Sequence, residues 1–166
     1  LDMLMTRPGT LDAESIDVLQ GMVYRPGYDE ALRIRGMTFL LEVDRGTLLR
    51  TLRQRLPRIT DHDWLRRCCA FVANHDLVEL DEALVSSWGR PWTGNLPDDQ
   101  RPEFLALERM HGPGGAVDAA WATFITATRP SQRGLRYRCW DLLHRLGGRD
   151  RLIAMIRQAD DSTTHP

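Results

Sequence analysis

Residues 135–146 read LRYRCWDLLHRL, and this stretch has the clearest helical period in the chain. When it is projected at about 100° per residue, five apolar side chains fall on one stripe: Leu135, Cys139, Leu142, Leu143 and Leu146. A stripe of this width is typical of a helix that packs one side against a core. The stretch therefore predicts an amphipathic helix.

The same spacing recurs along the chain, between short breaks that contain glycine, proline or aspartate. It predicts helices up to residue 24, then over 28–43, 47–56 and 60–75, and later over 103–110, 116–128 and 150–158. Residues 77–88 fit either a helix or two short strands, and the helix is favoured because Asp81-Glu82 is a poor hairpin turn. The sequence thus predicts an all-α fold, a compact bundle of about eight or nine short helices.

The apolar positions of these helices define an expected core. Their spacings of three and four predict that each group lies on one buried face: Ala31, Ile34, Met37 and Leu41; Trp64, Leu65, Cys68, Phe71 and Val72; Leu77, Leu80, Leu84 and Trp88; Val117, Trp121, Phe124 and Ile125. Thr60 and Asp63 are three residues apart and resemble a capping box at the start of the helix over 60–75.

The breaks also predict how the chain is organised. The irregular stretch 89–102 (GRPWTGNLPDDQRP) is expected to be a loop between an N-terminal helical portion, 1–88, and a C-terminal helical portion, 103–158. The polar segment 159–166 is expected to be a disordered tail. Within 47–87, the pattern also fits a winged helix-turn-helix, with the helix pair at 47–75 and a wing strand that begins at LVEL, residues 77–80.

Every positive charge belongs to arginine, because the chain has 22 arginines and no lysine. The planar arginine fork suits phosphates and carboxylates, although a GC-rich genome produces the same composition without any functional reason. The net charge of −1 excludes a bulk attraction to nucleic acid, so any such binding needs a local patch. Three cysteines without a CxxC pair favour a reducing, cytoplasmic location, and no apolar run is long enough to cross a membrane.

Charge is arranged in blocks rather than mixed. Residues 45–58 contain five arginines and no acid, residues 76–99 contain six acids and one arginine, and residues 129–157 contain eight arginines and two acids. Two interpretations remain open. The blocks of opposite sign can fold against each other and cancel, or at least one basic block can stay exposed and bind phosphates.

The helix over 135–146 carries Tyr137, Trp140 and His144 opposite its apolar stripe. These side chains could form a second layer of core, a protein interface, or a surface that stacks on unpaired bases. In the winged arrangement, the helix over 60–75 would face DNA. The residues expected to bind nucleic acid or a protein partner are Arg50, Arg53, His62, Arg66, Arg67, Arg133, Arg136, Tyr137, Arg138, Trp140, His144 and Arg145.

One motif resembles a catalytic one. Arg138 and His144 have five residues between them, a spacing similar to that of the HEPN class of all-α ribonucleases, in which an arginine and a histidine act on the scissile phosphate across a dimer. The resemblance implies proton transfer by His144 and charge stabilisation by Arg138. The position after the arginine is usually polar in that class, and here it is Cys139.

Other catalytic patterns are not found in the sequence. There is no phosphate-binding glycine loop and no nucleophile elbow. His62-Asp63 and His75-Asp76 would lie on different sides of one helix, so they do not converge on a metal. No catalytic residue, metal or cofactor is therefore predicted.

These observations favour a non-catalytic helical accessory or regulatory subunit that binds nucleic acid through arginine-rich faces within a larger assembly. The alternatives are a helical protein–protein adaptor or inhibitor that docks an acidic partner, and a metal-independent HEPN-like ribonuclease. A protein partner is expected in either of the first two roles, and no membrane partner is expected.

Overall fold

A computed structural model describes residues 13–25, 27–91, 96–146 and 153–157, and the secondary structure within these ranges is helical, with no strand. The predicted all-α fold is therefore confirmed. The chain folds as two compact units, Leu1–Arg55 and Leu56–Pro166. No helix in the described ranges is both long enough and apolar enough to span a membrane. The predicted tail, 159–166, lies outside the described residues.

The first unit contains three helices: α1 (Ala13–Tyr24), α2 (Glu30–Val43) and α3 (Arg45–Arg55). Helix α2 packs against both α1 and α3. Aspartates occupy the starts of α2 and α3, where backbone N–H groups lack partners within the helix. Asp29 accepts hydrogen bonds from the N–H groups of Ala31 and Leu32, and Asp44 accepts one from Thr47 at 3.0 Å.

The buried face of α2 is shifted from the predicted one. Met37 is fully buried as expected, but Ala31 is exposed. Arg33 is buried, and its Nε donates to the carbonyl of Val23 near the end of α1, at 2.8 Å. An apolar period cannot reveal this position, because the buried side chain is charged.

The second unit is built around a short central helix, α5. Its helices are α4 (His62–Asn74), α5 (Asp81–Trp88), α6 (Pro102–His111), α7 (Gly115–Thr126) and α8 (Arg133–Leu146), and the short segment 153–157 is also helical. Single 3-10 turns lie at Leu56–Arg58, Val78–Leu80, Asp98–Gln100 and Pro130–Gln132. Helix α5 contacts α6, α7, α8 and the first of these turns, while α4 packs on α6 and α7 packs on α6 and α8.

The favoured helical interpretation of 77–88 is confirmed, and its four predicted core residues, Leu77, Leu80, Leu84 and Trp88, are fully buried. The wing strand predicted at LVEL is wrong, because Val78–Leu80 forms a 3-10 turn that leads directly into α5. Leu77 and Leu80 are both buried although they are three residues apart. A 3-10 turn places such positions on the same side, whereas a strand would send them to opposite faces.

Helix α4 buries the five predicted residues, Trp64, Leu65, Cys68, Phe71 and Val72. Its start differs from the prediction. The cap is Asp61, whose carboxylate accepts hydrogen bonds from the N–H groups of Asp63 and Trp64, at 3.0 and 3.1 Å. Thr60 lies one residue before this cap.

Candidate functional site

Helix α8 has one buried side and one exposed side. Leu135, Cys139, Leu142 and Leu143 of the predicted stripe are buried. The opposite side is formed by five exposed residues that we call the α8 face: Arg133, Arg136, Tyr137, Trp140 and His144. Tyr137 is 73 % exposed and Trp140 is 41 % exposed, so these side chains do not form a second layer of core.

An aromatic cluster lies at the edge of the α8 face, where α7 packs on α8. The rings of Trp121 and Phe124 are stacked with centroids 5.6 Å apart, and Phe124 lies 5.9 Å from Trp140. The guanidinium of Arg136 lies over the Phe124 ring, 4.7 Å from its centroid. These distances are typical of attractive aromatic and cation–π contacts, which hold Arg136 and Trp140 in defined positions.

The aromatic cluster was not foreseen from the sequence, which predicted that the large side chains of α7 face inward. Ile125 is 48 % exposed, so that prediction is wrong for this residue, and Trp121 and Phe124 are only half-buried. Helix α7 instead buries mainly small residues: Gly115, Ala116, Val117, Ala119, Ala120 and Thr123. Small side chains let helices approach closely, and the abundance of alanine and glycine on one side of 115–123 was the signal available in the sequence.

A cavity of about 730 Å³ with several charged side chains in its lining lies between α8 and the segment that follows α5. Four arginines and two aspartates contribute to its lining, together with Tyr137 from the α8 face: Arg90, Arg101, Arg138, Arg145, Asp98 and Asp141. The 89–102 stretch thus contributes cavity-lining residues on both sides of the undescribed positions 92–95.

Arg101 is buried and closes the end of α5. Its guanidinium donates to the carbonyls of Ser87, Trp88 and Arg90 at 2.5 to 3.1 Å. It also pairs with the fully buried Glu103 at 3.0 Å, and the Ser87 hydroxyl donates to the same carboxylate oxygen at 2.7 Å. The last carbonyls of a helix lack partners within the helix, so this arginine serves as a C-terminal cap.

Arg90 is also held by the protein. It donates to the backbone carbonyls of Pro57 and Ile59, next to the first 3-10 turn. Neutral carbonyls satisfy its donors, but they do not cancel its charge.

Arg145 joins the basic block over 129–157 to the acidic block over 76–99. It forms an ion pair with Asp98 and a second one, at 3.0 Å, with Asp141 on its own helix. The interpretation that opposite blocks cancel therefore holds for Arg145. It does not hold for the whole block, because Arg133 and Arg138 have no ion pair in the part of the chain that the structure describes.

A second residue of the acidic block is paired with a histidine. Asp81 lies 2.8 Å from His111 Nε2. Burial raises the pKa of Asp81, and the hydrogen bond and charge of His111 act in the opposite direction.

The remaining predicted binding residues lie elsewhere. Arg50 and Arg53 are exposed on α3 in the first unit, and Arg50 donates to the Thr47 hydroxyl at 2.9 Å. His62, Arg66 and Arg67 are exposed on α4, where Arg66 pairs with Asp63 at 2.7 Å. The structure thus groups the predicted residues by helix: those of α8 lie together, and His62 and Arg66 of α4 line a separate pocket.

The groups that could carry out catalysis are sparse. Arg138 lines the cavity, whereas His144 is not among its lining residues. The three cysteines are buried and free, and burial raises the pKa of Cys139 to about 11 and that of Cys69 well above its usual value. Thiols with a raised pKa, such as those of Cys69 and Cys139, are protonated and unreactive near neutral pH. No group of side chains suited to a metal ion occurs among the described residues.

Comparison with models of protein families, with curated proteins and with solved structures finds no significant match to this chain. Its function therefore has to be argued from the α8 face, the aromatic cluster and the cavity.

Proposed function

We propose that the α8 face binds single-stranded nucleic acid, and that the protein is a non-catalytic subunit which contributes this surface to a larger assembly. The observation that carries the proposal is the composition of one exposed helix side. It combines Arg133 and Arg136 with two exposed aromatic rings, Tyr137 and Trp140. The exposed carboxylate nearest to these rings on α8, that of Asp141, is paired with Arg145.

The arginines of the α8 face suit phosphate groups. A guanidinium presents five donors in a planar fork and can grip two phosphate oxygens at once. Arg136 is held over the Phe124 ring rather than by an acid, so its charge stays available to a ligand. Because the whole chain carries a net charge of only −1, this local concentration of positive charge is what would attract a polyanion.

The aromatic side chains favour a single strand over a duplex. Unpaired bases can stack on exposed rings, with a gain of about 1–3 kcal/mol per base, whereas the bases of a duplex already stack on each other. Tyr137 is the most exposed large apolar side chain of the described residues, and Trp140 lies three positions further along the same helix. Two rings beside two arginines provide the combination that sequence-tolerant strand binding uses.

A protein partner is the second candidate, and the exposure of Ile125 favours it. This side chain is 48 % exposed near Trp121 and Phe124, and it offers nothing to a phosphate. Aromatic residues and arginines dominate the energetics of protein interfaces, so an acidic partner protein could dock on the same surface. Stacking on bases would contribute to the binding of a nucleic acid strand, whereas an acidic protein partner has no bases to contribute.

Fluorescence anisotropy with a labelled 20-nucleotide single strand tests the proposal. The Tyr137→Ala variant should bind about 5- to 150-fold more weakly than the wild type, because it loses one stacked base. The matched control is Leu105→Ala, which removes a side chain that is 54 % exposed on α6, and it should bind as the wild type does. Absence of wild-type binding at low salt would contradict the proposal.

A poly-glutamate of similar charge separates the two candidates. It carries carboxylates but no bases, so Tyr137→Ala should leave its binding nearly unchanged under the proposed function. If poly-glutamate binds more tightly than the oligonucleotide, the surface is instead a docking site for an acidic protein.

A further inference from the structure

The cavity contains one arginine without a partner. The Nε atom of Arg138 is buried and makes no hydrogen bond, and the side chain forms no ion pair with any residue that the structure describes. A buried, unsatisfied donor on a charged group is costly, and most such groups in folded proteins are paired. The terminal guanidinium nitrogens make no hydrogen bond to the described residues either, so an anion in the cavity could pair with this end of the side chain.

The other arginines of the cavity differ from Arg138 at their terminal guanidinium nitrogens, although the Nε of Arg101 is also buried without a hydrogen bond. Arg90 and Arg101 direct their donors to backbone carbonyls, and Arg145 holds both Asp98 and Asp141. Because Arg145 holds the two acids that line the cavity, neither of them competes for Arg138. Among the four arginines of the lining, Arg138 is the one whose guanidinium makes neither a hydrogen bond nor an ion pair with the residues that the structure describes.

Close packing fixes the stem of Arg138. A Cβ atom built on Gly89 would lie 2.7 Å from Arg138 Cβ and 3.4 Å from Arg138 Cδ, so the stem lies directly on this glycine. A larger residue at position 89 would displace it. The packing limits the positions of the stem before any ligand arrives, which lowers the entropy lost when the side chain is ordered on binding.

The cavity is large enough for a nucleotide, and an aromatic ring on which a base could stack lies in its lining. Its volume of about 730 Å³ falls within the range of roughly 300–1,000 Å³ that is typical of small-molecule sites. Tyr137 belongs both to its lining and to the α8 face. A phosphate held by Arg138 would thus lie near a ring on which the attached base can stack.

We propose that this cavity binds the terminal phosphate of the strand, with Arg138 gripping the phosphate and Tyr137 stacking on the terminal base. The inference rests on the proposed function and assigns one end of the bound strand. A terminal monoester carries about −1.5 to −2 charges at pH 7 and three acceptor oxygens, more than an internal diester offers. A partly buried guanidinium without another partner should therefore bind the terminal monoester more tightly than an internal diester.

Three 12-nucleotide strands of one sequence test this inference: one with a 5′ phosphate, one with a 3′ phosphate and one with neither. The wild-type protein should bind one of the phosphorylated strands at least about tenfold more tightly than the unphosphorylated strand, the effect expected of a charged hydrogen-bonded contact. Arg138→Met keeps the stem on Gly89 and should abolish this preference. Arg133→Met should weaken binding of all three strands and keep the preference.

Two further measurements complete the test. Arg138→Lys retains a charge but lacks the fork, so it should keep only part of the preference, and thermal unfolding should show that both Arg138 variants fold. Equal wild-type affinities for the three strands would overturn the inference and leave the proposed function standing. If no strand binds and adenosine monophosphate alone does, both the proposed function and the strand-end assignment fail.

Discussion

Arg101 and Arg136 carry the same guanidinium and lie in opposite surroundings. Arg101 is 2 % exposed, pairs with Glu103 and donates to carbonyls at the end of α5. Arg136 is exposed on α8 and its charge lies over the Phe124 ring. The first arginine stabilises the fold, and the second is available to a ligand. Arginine-rich composition therefore does not by itself predict what this protein binds.

Two other arginines resemble Arg101. Arg33 closes the end of α1 through the carbonyl of Val23, and Arg90 bonds two carbonyls beside a 3-10 turn. A planar fork with several donors can bond neighbouring carbonyls at once, which a lysine ammonium on its flexible stem does less well. Part of the arginine excess is thus explained by the fold.

The largest expected effect comes from removing the buried arginine. Arg101→Met leaves Glu103 as an uncompensated buried charge and should lower the free energy of unfolding by about 3–5 kcal/mol. Arg133→Met, on the α8 face, should change it by less than about 0.5 kcal/mol. Urea denaturation followed by circular dichroism measures both.

The double variant Arg101→Met/Glu103→Gln sharpens this comparison. It removes the uncompensated charge and should recover part of the lost stability. If Arg101→Met and Arg133→Met lower the free energy of unfolding by similar amounts, the buried arginine does not stabilise the fold more than the exposed one.

An intermediate effect is expected where Arg138 rests on α5. In Gly89→Ala, the added methyl would lie 2.7 Å from Arg138 Cβ, and the overpacking should cost about 1–3 kcal/mol of stability. Gly134→Ala is the matched control, because nothing lies within 4 Å of its added methyl. It should stabilise the protein by about 0.4–1 kcal/mol through the helix preference of alanine. Equal thermal shifts for the two variants would contradict the close packing.

A smaller effect is expected at Asp44, an acidic counterpart of the arginine caps, at the start of α3. Hydrogen bonds from Thr47 hold the pKa of Asp44 below its ordinary value of 3.8. The carboxylate thus contributes stability above that value, and the contribution disappears as the pH falls through the lowered pKa. Asp44→Ala should cost about 1 kcal/mol at pH 7 and much less at pH 2. A loss that is the same at both pH values would show that the carboxylate charge has no part in it.

The sequence correctly predicted the features that follow from the spacing of apolar residues within one segment. Four of the five residues of the predicted α8 stripe are buried, and only Leu146 among them is half-buried, because the apolar spacing is a property of one segment. Helix α5 was correctly favoured because Asp81-Glu82 is a poor hairpin turn. The caps by Arg101 and Arg33 were missed, since each requires a carbonyl that comes from another element. The exposure of Ile125 was missed for a related reason: it depends on how closely the small residues of α7 approach their neighbours.

The salt dependence of strand binding tests the central claim, that the α8 face binds single-stranded nucleic acid through its arginines. Each phosphate contact contributes about −0.7 to the slope of log K against log salt concentration for a single strand. Arg133→Gln/Arg136→Gln should therefore make the slope less steep by about 1.4 than that of the wild type. A control that removes two other exposed arginines, Arg58→Gln/Arg109→Gln, should keep the wild-type slope. A wild-type slope near zero, or equal slopes for the wild type and the α8 variant, would contradict the claim.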